Sequence, residues 1–135
     1  MKIIISEKKG FTIADVVQLY KANQWSAAAK PEQLYNALLG SHTVLTAWDD
    51  KKLIGLGNAI SDGHLVVYFP HLLILPEYQN KGIGQIIMEK LTEKYKEFHM
   101  QMLTADQEAI SFYKKNGFEK AGNTQAMWIY KSKEH

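Results

Sequence analysis

The segment Gln79-Asn80-Lys81-Gly82-Ile83-Gly84 sets glycines and a lysine between an apolar, β-rich run and the strongest helical pattern in the chain. Glycines at such a junction let backbone N–H groups turn inward and approach an anion closely. The N-terminus of the following helix adds the positive end of its dipole. This is the physics of a pyrophosphate site, and Lys81 can add charge. Two rival glycine motifs do not fit. A dinucleotide fingerprint wants a further glycine where this chain has Ile87, and a P-loop ends in Gly-Lys-Ser/Thr, which is absent. The competing reading of the loop alone is a tight strand-to-helix turn without a ligand.

The chain has no cysteine, which excludes disulfides, thiolate metal sites and a cysteine nucleophile. Its 135 residues are expected to form one domain spanning 1–135, long enough to bury a core without staples. A hydrophobic share of 46% and a charged share of 22% are ordinary for a soluble globular protein. The net charge of +2 comes from interspersed acids and bases, with no Lys/Arg block to mark a nucleic-acid footprint. The apolar run at Ile3-Ile4-Ile5 is too short for a signal peptide or a membrane span. A cytoplasmic location fits these features.

The elements that must position the loop follow from periodicity. Lys2 to Ser6 reads as a first strand. Thr12 is an N-cap for a helix carrying Ile13, Val16, Val17 and Tyr20, and Pro31 opens a second helix with Leu34, Tyr35, Leu38 and Leu39, ended by Gly40. Thr43 to Trp48 and Leu53 to Ile60, joined by Asp49-Asp50-Lys51-Lys52, read as a hairpin. His64 to Leu75 is a long β run interrupted by Pro70, which implies a bulge or a switch in pairing. Gly82 opens the next helix, with Ile83, Ile87, Leu91 and Tyr95 along one face and Ile86 widening it. Met100 to Thr104 is a short strand. Asp106 can cap a helix to about Asn116, with Gly117 after it, and Phe118-Glu119 and Ala126 to Lys131 are further strand-like pieces. The order is mixed α/β, with an antiparallel meander at its centre and a βαβ crossover onto the Met100 strand.

With the elements placed, Leu72-Leu73-Ile74-Leu75-Pro76-Glu77-Tyr78-Gln79-Asn80-Lys81-Gly82-Ile83-Gly84 resembles the acetyl-CoA-binding motif of the GNAT N-acetyltransferase superfamily. That motif is a strand, then Gln/Arg-x-x-Gly-x-Gly/Ala, then a helix. Ala109-Ile110-Ser111-Phe112-Tyr113-Lys114-Lys115-Asn116-Gly117-Phe118 is similar to the family's Phe/Leu-Tyr-x-x-x-Gly-Phe segment. The match is sharp over Leu72 to Phe118; the flanks agree in element order. The resemblance implies an α/β (α+β) GNAT-like fold, a mostly antiparallel sheet of about six to seven strands flanked by about four helices.

It also implies roles. The strand before the loop splays from its neighbour, and the pantetheine arm of acetyl-CoA lies in the opening against backbone groups of Leu73, Ile74 and Leu75. The amides of Gln79, Asn80, Lys81, Gly82, Ile83 and Gly84 hold the pyrophosphate, with a contribution from Gln85. Tyr113 matches the family's general acid; a phenol with a pKa of ~10 can protonate a departing thiolate. The competing reading of Tyr113 is a core aromatic. Asp106 stands where many members carry a cofactor-contacting asparagine, but as a carboxylate it cannot donate as an amide does. For the base, the strand offers His64, Tyr68 and His71 and no glutamate. His71 lies nearest the acetyl site and titrates in the useful range, while a water chain or a packed histidine is the alternative.

For the acceptor, the resemblance points to the first two helices and the carboxy-terminal strands. Trp25, Tyr35, Tyr68 and Trp128 could form an aromatic wall, with Trp25 and Tyr68 as the substrate-binding candidates and core packing expected of Tyr35 and Trp128. The implied activity is acetyl transfer from acetyl-CoA to a primary amine in a ternary complex, without a metal. The alternative is a non-catalytic CoA-binding module of the same fold. Exposed sheet edges put a homodimer among the expectations; no nucleic acid or membrane partner is expected.

Overall fold

A computed structural model describes residues 2–131. Strand β1 is Ile3–Ser6, helix α1 Ile13–Ala22, helix α2 Pro31–Leu39, β2 Thr43–Asp49 and β3 Lys52–Ser61. They are followed by β4 Val66–Tyr68, β5 Leu72–Ile74, helix α3 Ile83–Lys94, β6 Met100–Met102 and helix α4 Ile110–Lys115. This is a mixed α/β architecture with a sheet of six strands, and all strand pairs but β4–β6 are antiparallel.

The helix starts follow local chemistry. Thr12 and Asp15 form a capping box, with Thr12 Oγ1 accepting the Asp15 N–H at 3.1 Å and the Asp15 carboxylate accepting the Thr12 N–H at 3.0 Å. Pro31 opens α2 and Gly40 follows its last turn. Gly82 is the N-cap of α3 with φ of 82°, a left-handed conformation that costs other residues strain. Ile83, Ile87, Met88 and Leu91 are buried along that helix, but Ile86 is 43% exposed, so the apolar stripe is narrower than its periodicity suggests.

β3 runs through the centre and is buried from Leu53 to Ala59, covered on both faces. α3 lies close on one face. A Cβ on Gly57 would stand 2.7 Å from Ile87 Cγ2 and 3.3 Å from Leu91 Cδ1. Absence of that methyl group sets how closely the helix approaches the sheet. On the other face α1 supplies the buried Val16, Leu19 and Tyr20.

The expected interruption at Pro70 is a β-bulge. From Ile60 to Gly57 is three steps along β3, whereas their partners Tyr68 and Leu72 are four steps apart. The extra residue reverses the alternation of faces. Phe69 therefore packs toward α3 and α4, 6.0 Å from the Tyr95 ring and 6.2 Å from the Phe118 ring. His71, two residues on, packs toward α1, against Tyr20 and Trp25.

Two expectations are corrected. Phe118-Glu119 and Ala126 to Lys131 form no strand, because no sheet edge is paired with them. The helix after Asp106 begins as a 3-10 turn over Gln107–Ala109, and Asp106 makes no side-chain capping bond. Its carboxylate instead lies close enough to Tyr113 to act on it electrostatically.

Candidate active site

β4 and β6 run parallel, paired from Val66↔Met100 to Tyr68↔Met102, with a last bond from the Phe69 N–H to the Met102 carbonyl at 3.0 Å. Among the described residues, β5 continues past that point paired only with β3. The strands part at the bulge and leave one edge of β5 open. The residues facing that opening follow from the ladder. Asn58 N–H donates to the His71 carbonyl and Leu75 N–H to the Ile54 carbonyl, so by alternation Leu73 also bonds toward β3. The backbone groups of Leu72 and Ile74 then point into the opening. Of the candidates Leu73, Ile74 and Leu75, only Ile74 offers its N–H there, since its carbonyl already accepts the Gln79 amide at 3.0 Å. Leu72 belongs beside it, a position that alternation along the register could have revealed.

The loop is braced at its start, where Gln79 Nε2 donates to the Ile74 carbonyl. Gln79 Nε2 also donates to Asn23 Oδ1 at 3.2 Å, and Gln79 N–H donates to the Pro76 carbonyl at 3.2 Å. Gln79 is thus a strut between α1, β5 and the loop, and its N–H is spoken for. Tyr78 hydroxyl donates to the Asp49 carboxylate at 2.5 Å and fixes the preceding turn. The amides from Asn80 to Gln85 remain. Asn80 has φ of 62° and Gly82 of 82°, and the first intrahelical bond is from Ile86 N–H to the Gly82 carbonyl. The N–H groups of Ile83, Gly84 and Gln85 are therefore the orphan donors of the first turn of α3. The Gln85 side chain turns to Glu89 at 3.0 Å. These residues fit a pyrophosphate, which needs several convergent N–H donors and no side-chain bulk.

Gly84 faces α4: a Cβ there would sit 3.7 Å from Phe112 Cζ. The next residue, Tyr113, is held by the end of its own helix. Gly117, with φ of 93°, turns the chain so that Phe118 N–H donates to the Tyr113 carbonyl at 3.1 Å and Gly117 N–H to the Lys114 carbonyl at 3.2 Å. This is a Schellman motif, with Phe118 packed on Tyr113 at 5.9 Å between ring centroids. Burial, and then the Asp106 charge, push the Tyr113 phenol above its ordinary pKa. It is protonated at neutral pH, as a general acid must be. Among the described residues its hydroxyl has no hydrogen-bond partner, and it is not a sealed atom, so a ligand can reach it.

On the opposite face, His71 joins a cluster that periodicity did not reveal. Tyr20 from α1 places its hydroxyl 2.8 Å from His71 Nδ1, and the Trp25 ring stands 5.0 Å from His71 and 5.6 Å from Tyr20. The structure thus unites Trp25 with His71 and adds Tyr20, which helical spacing marks only as a core position. Burial lowers the His71 pKa to about 4. Tyr68 lies across the bulge from His71 with no ring contact, and Tyr35 packs apart from the cluster, against Phe11. Trp128, expected in the core, is 66% exposed and stacked on Tyr130. Tyr130 hydroxyl lies 2.9 Å from Ser26 Oγ, which brings the carboxy-terminal segment to the Trp25 turn.

A mixed sheet split at a bulge, with an amide-lined helix start after the splayed strand, is the architecture of an acetyltransferase. The GNAT acetyltransferase domain model matches residues 10–128, and the chain belongs to that family. It is 25% identical over 125 residues to the uncharacterized N-acetyltransferase ycf52 of Pyropia yezoensis, spanning 87% of this chain and 71% of that protein. It is 36% identical over 72 residues to the chloroplastic GCN5-related N-acetyltransferase 2 of Arabidopsis thaliana, over 52% of this chain and 28% of that one. Among solved structures, a GNAT-family acetyltransferase from Streptococcus pneumoniae superposes with a TM-score of 0.82 at 30% identity, covering 97% of this chain and all, 100%, of the other. Among the described residues, no helix is long and apolar enough to cross a membrane.

Proposed function

We propose that this protein transfers the acetyl group of acetyl-CoA to a primary amine of a small molecule or peptide, by direct attack of the amine in a ternary complex. What supports the reading is the edge of β5 left open past the last β4–β6 bond, the orphan N–H groups at the start of α3, and the contact of Gly84 with Phe112, the residue before Tyr113. Acetyl-CoA supplies the acetyl group as a thioester. The Asn80 to Gln85 amides hold its pyrophosphate, and Ile74 N–H orients the arm and stabilises charge on the carbonyl oxygen. Tyr113 gives its proton to the departing sulfur as the C–S bond breaks, and the proton lost by the attacking nitrogen passes through water and restores the phenol. With no cysteine in these 135 residues, no acyl-thioester can form on them. The test is thiol release from acetyl-CoA across a panel of amines. CoA binding without release on any amine would favour a non-catalytic binding module instead, and parallel initial-velocity lines would replace direct attack with a ping-pong route.

The reading includes a homodimer. β6 pairs only with β4 in the described sheet, so its outer edge is open, with Met100 and Met102 exposed beside it. The uncharged segment Ala126-Met127-Trp128-Ile129-Tyr130 has strand composition and exposes Met127 and Ile129 at 91% and 90%. A second copy could supply that segment to the β6 edge, and a two-fold axis would satisfy both edges at once. Sedimentation equilibrium decides it: a chain ending at Gln125 should be a monomer where the full chain is a dimer, and equal masses would refute this arrangement.

A further inference from the structure

Tyr20 is fully buried, and among the described residues its hydroxyl has one hydrogen-bond partner, Nδ1 of His71, at 2.8 Å. A phenol sealed from water must place its proton on an acceptor, or leave a buried donor unsatisfied. Burial also keeps the Tyr20 phenol protonated by raising its pKa. Tyr20 therefore donates and Nδ1 accepts. A neutral imidazole carries one proton, so with Nδ1 accepting, that proton sits on Nε2. Burial alone keeps the ring neutral at pH 7, and no charged side chain contributes.

Nε2 has no partner among the described residues, yet it is open. Among those residues the one sealed side-chain nitrogen or oxygen lacking a partner is Gln101 Oε1. The imidazole Nε2–H is thus accessible beside the Trp25 ring, and among the described residues no ion pair involves Tyr20, Trp25 or His71.

We propose that His71 is a fixed hydrogen-bond donor, through Nε2–H, to a carbonyl or carboxylate oxygen of the acetyl acceptor, and that Tyr20 is the positioning residue that sets this tautomer. The proposal rests on the acetyltransferase reading for the word acceptor, but the tautomer does not depend on it. Two consequences follow. His71 does not serve as the general base, because the nitrogen that meets the ligand already holds a proton. The acceptor is an amine bearing a nearby carbonyl or carboxylate, as in an amino acid or a peptide terminus; a polycation would find no counter-charge here.

Long-range proton–nitrogen NMR of the 15N-labelled full chain at pH 7 tests the tautomer without acetyl-CoA. We expect His71 Nε2 in the protonated range and Nδ1 in the unprotonated range, and Tyr20→Phe to move both toward averaged values. A proton on Nδ1, or an averaged signal in the wild type, overturns the assignment, and this spectrum decides it even if Tyr20→Phe fails to fold. The second arm titrates glycinamide and, separately, ethylamine. A saturable shift of His71 Nε2 with glycinamide alone is the expected result; equal shifts with both, or none with either, overturn the acceptor class.

Discussion

The side-chain oxygen of Asn58 accepts the backbone N–H of His71 at 3.1 Å, while Asn58 N–H donates to the His71 carbonyl at 3.2 Å. At a regular antiparallel pair both bonds would run backbone to backbone. The bulge at Phe69-Pro70 displaces the His71 N–H, and a side-chain amide replaces the lost ladder acceptor. Asn58 is buried, and its Nδ2 donates to Ser41 Oγ at 3.1 Å, so each end of the amide is occupied. Asn58→Leu should therefore cost about 2–4 kcal/mol, from buried groups left without partners. Urea denaturation measures it; an unchanged midpoint would mean that the bulge holds without this bond.

Tyr113→Phe should lower kcat by on the order of 10²-fold or more, the usual contribution of a positioned proton donor. Binding of CoA, read by calorimetry, should change little. Since burial and the Asp106 charge both raise the Tyr113 pKa, the protonated acid persists as pH rises, and the loss of activity at high pH is displaced upward. Removing the negative charge in Asp106→Asn should move that basic limb down. A limb that stays in place in the variant would separate Asp106 from the acid.

Gly82 holds φ of 82° with open space around a would-be Cβ. Gly82→Ala thus meets no clash, and its cost is conformational, about 1–2 kcal/mol for a left-handed non-glycine residue. If the loop relaxes instead, the amides of α3 lose their aim, and CoA should bind about tenfold more weakly. Calorimetric titration with CoA reports the affinity and thermal unfolding the stability; no change in either would remove the need for glycine here.

His71 has a folded pKa of about 4 against an ordinary value of 6.5. The unfolded chain takes up the proton first, so the stability from keeping His71 neutral is complete above about pH 6.5 and is lost as pH falls toward about 4. At about 1.36 kcal/mol per unit, the loss is on the order of 3 kcal/mol. His71→Gln should flatten this part of the stability curve, measured as urea midpoints from pH 7 to pH 4. An identical slope in the variant would place the acid sensitivity elsewhere.

The sequence by itself determined the local signals and their order: the Thr12 cap, the Pro31 start, the Gly82 opening of α3, the Gly117 turn and an interruption at Pro70. Each depends on residues a few positions apart, where backbone sterics and capping bonds act without the rest of the chain. The phosphate loop was legible for the same reason, and the motif around Tyr113 made the family recognisable. What Pro70 could not reveal was the consequence of its bulge, the reversal of faces that sends Phe69 to one side of the sheet and His71 to the other. Tyr20 looked like an ordinary core position, because its spacing on α1 carries no record of a partner fifty-one residues away. Asp106 looked like a cap because its neighbours in sequence are right for one, and only the packing of α4 set it near Tyr113. The strand expected over Ala126 to Lys131 has the right composition, but a strand exists only where an edge pairs with it. These outcomes depend on which surfaces meet, and that is decided by the tertiary packing of the two helical layers on β3.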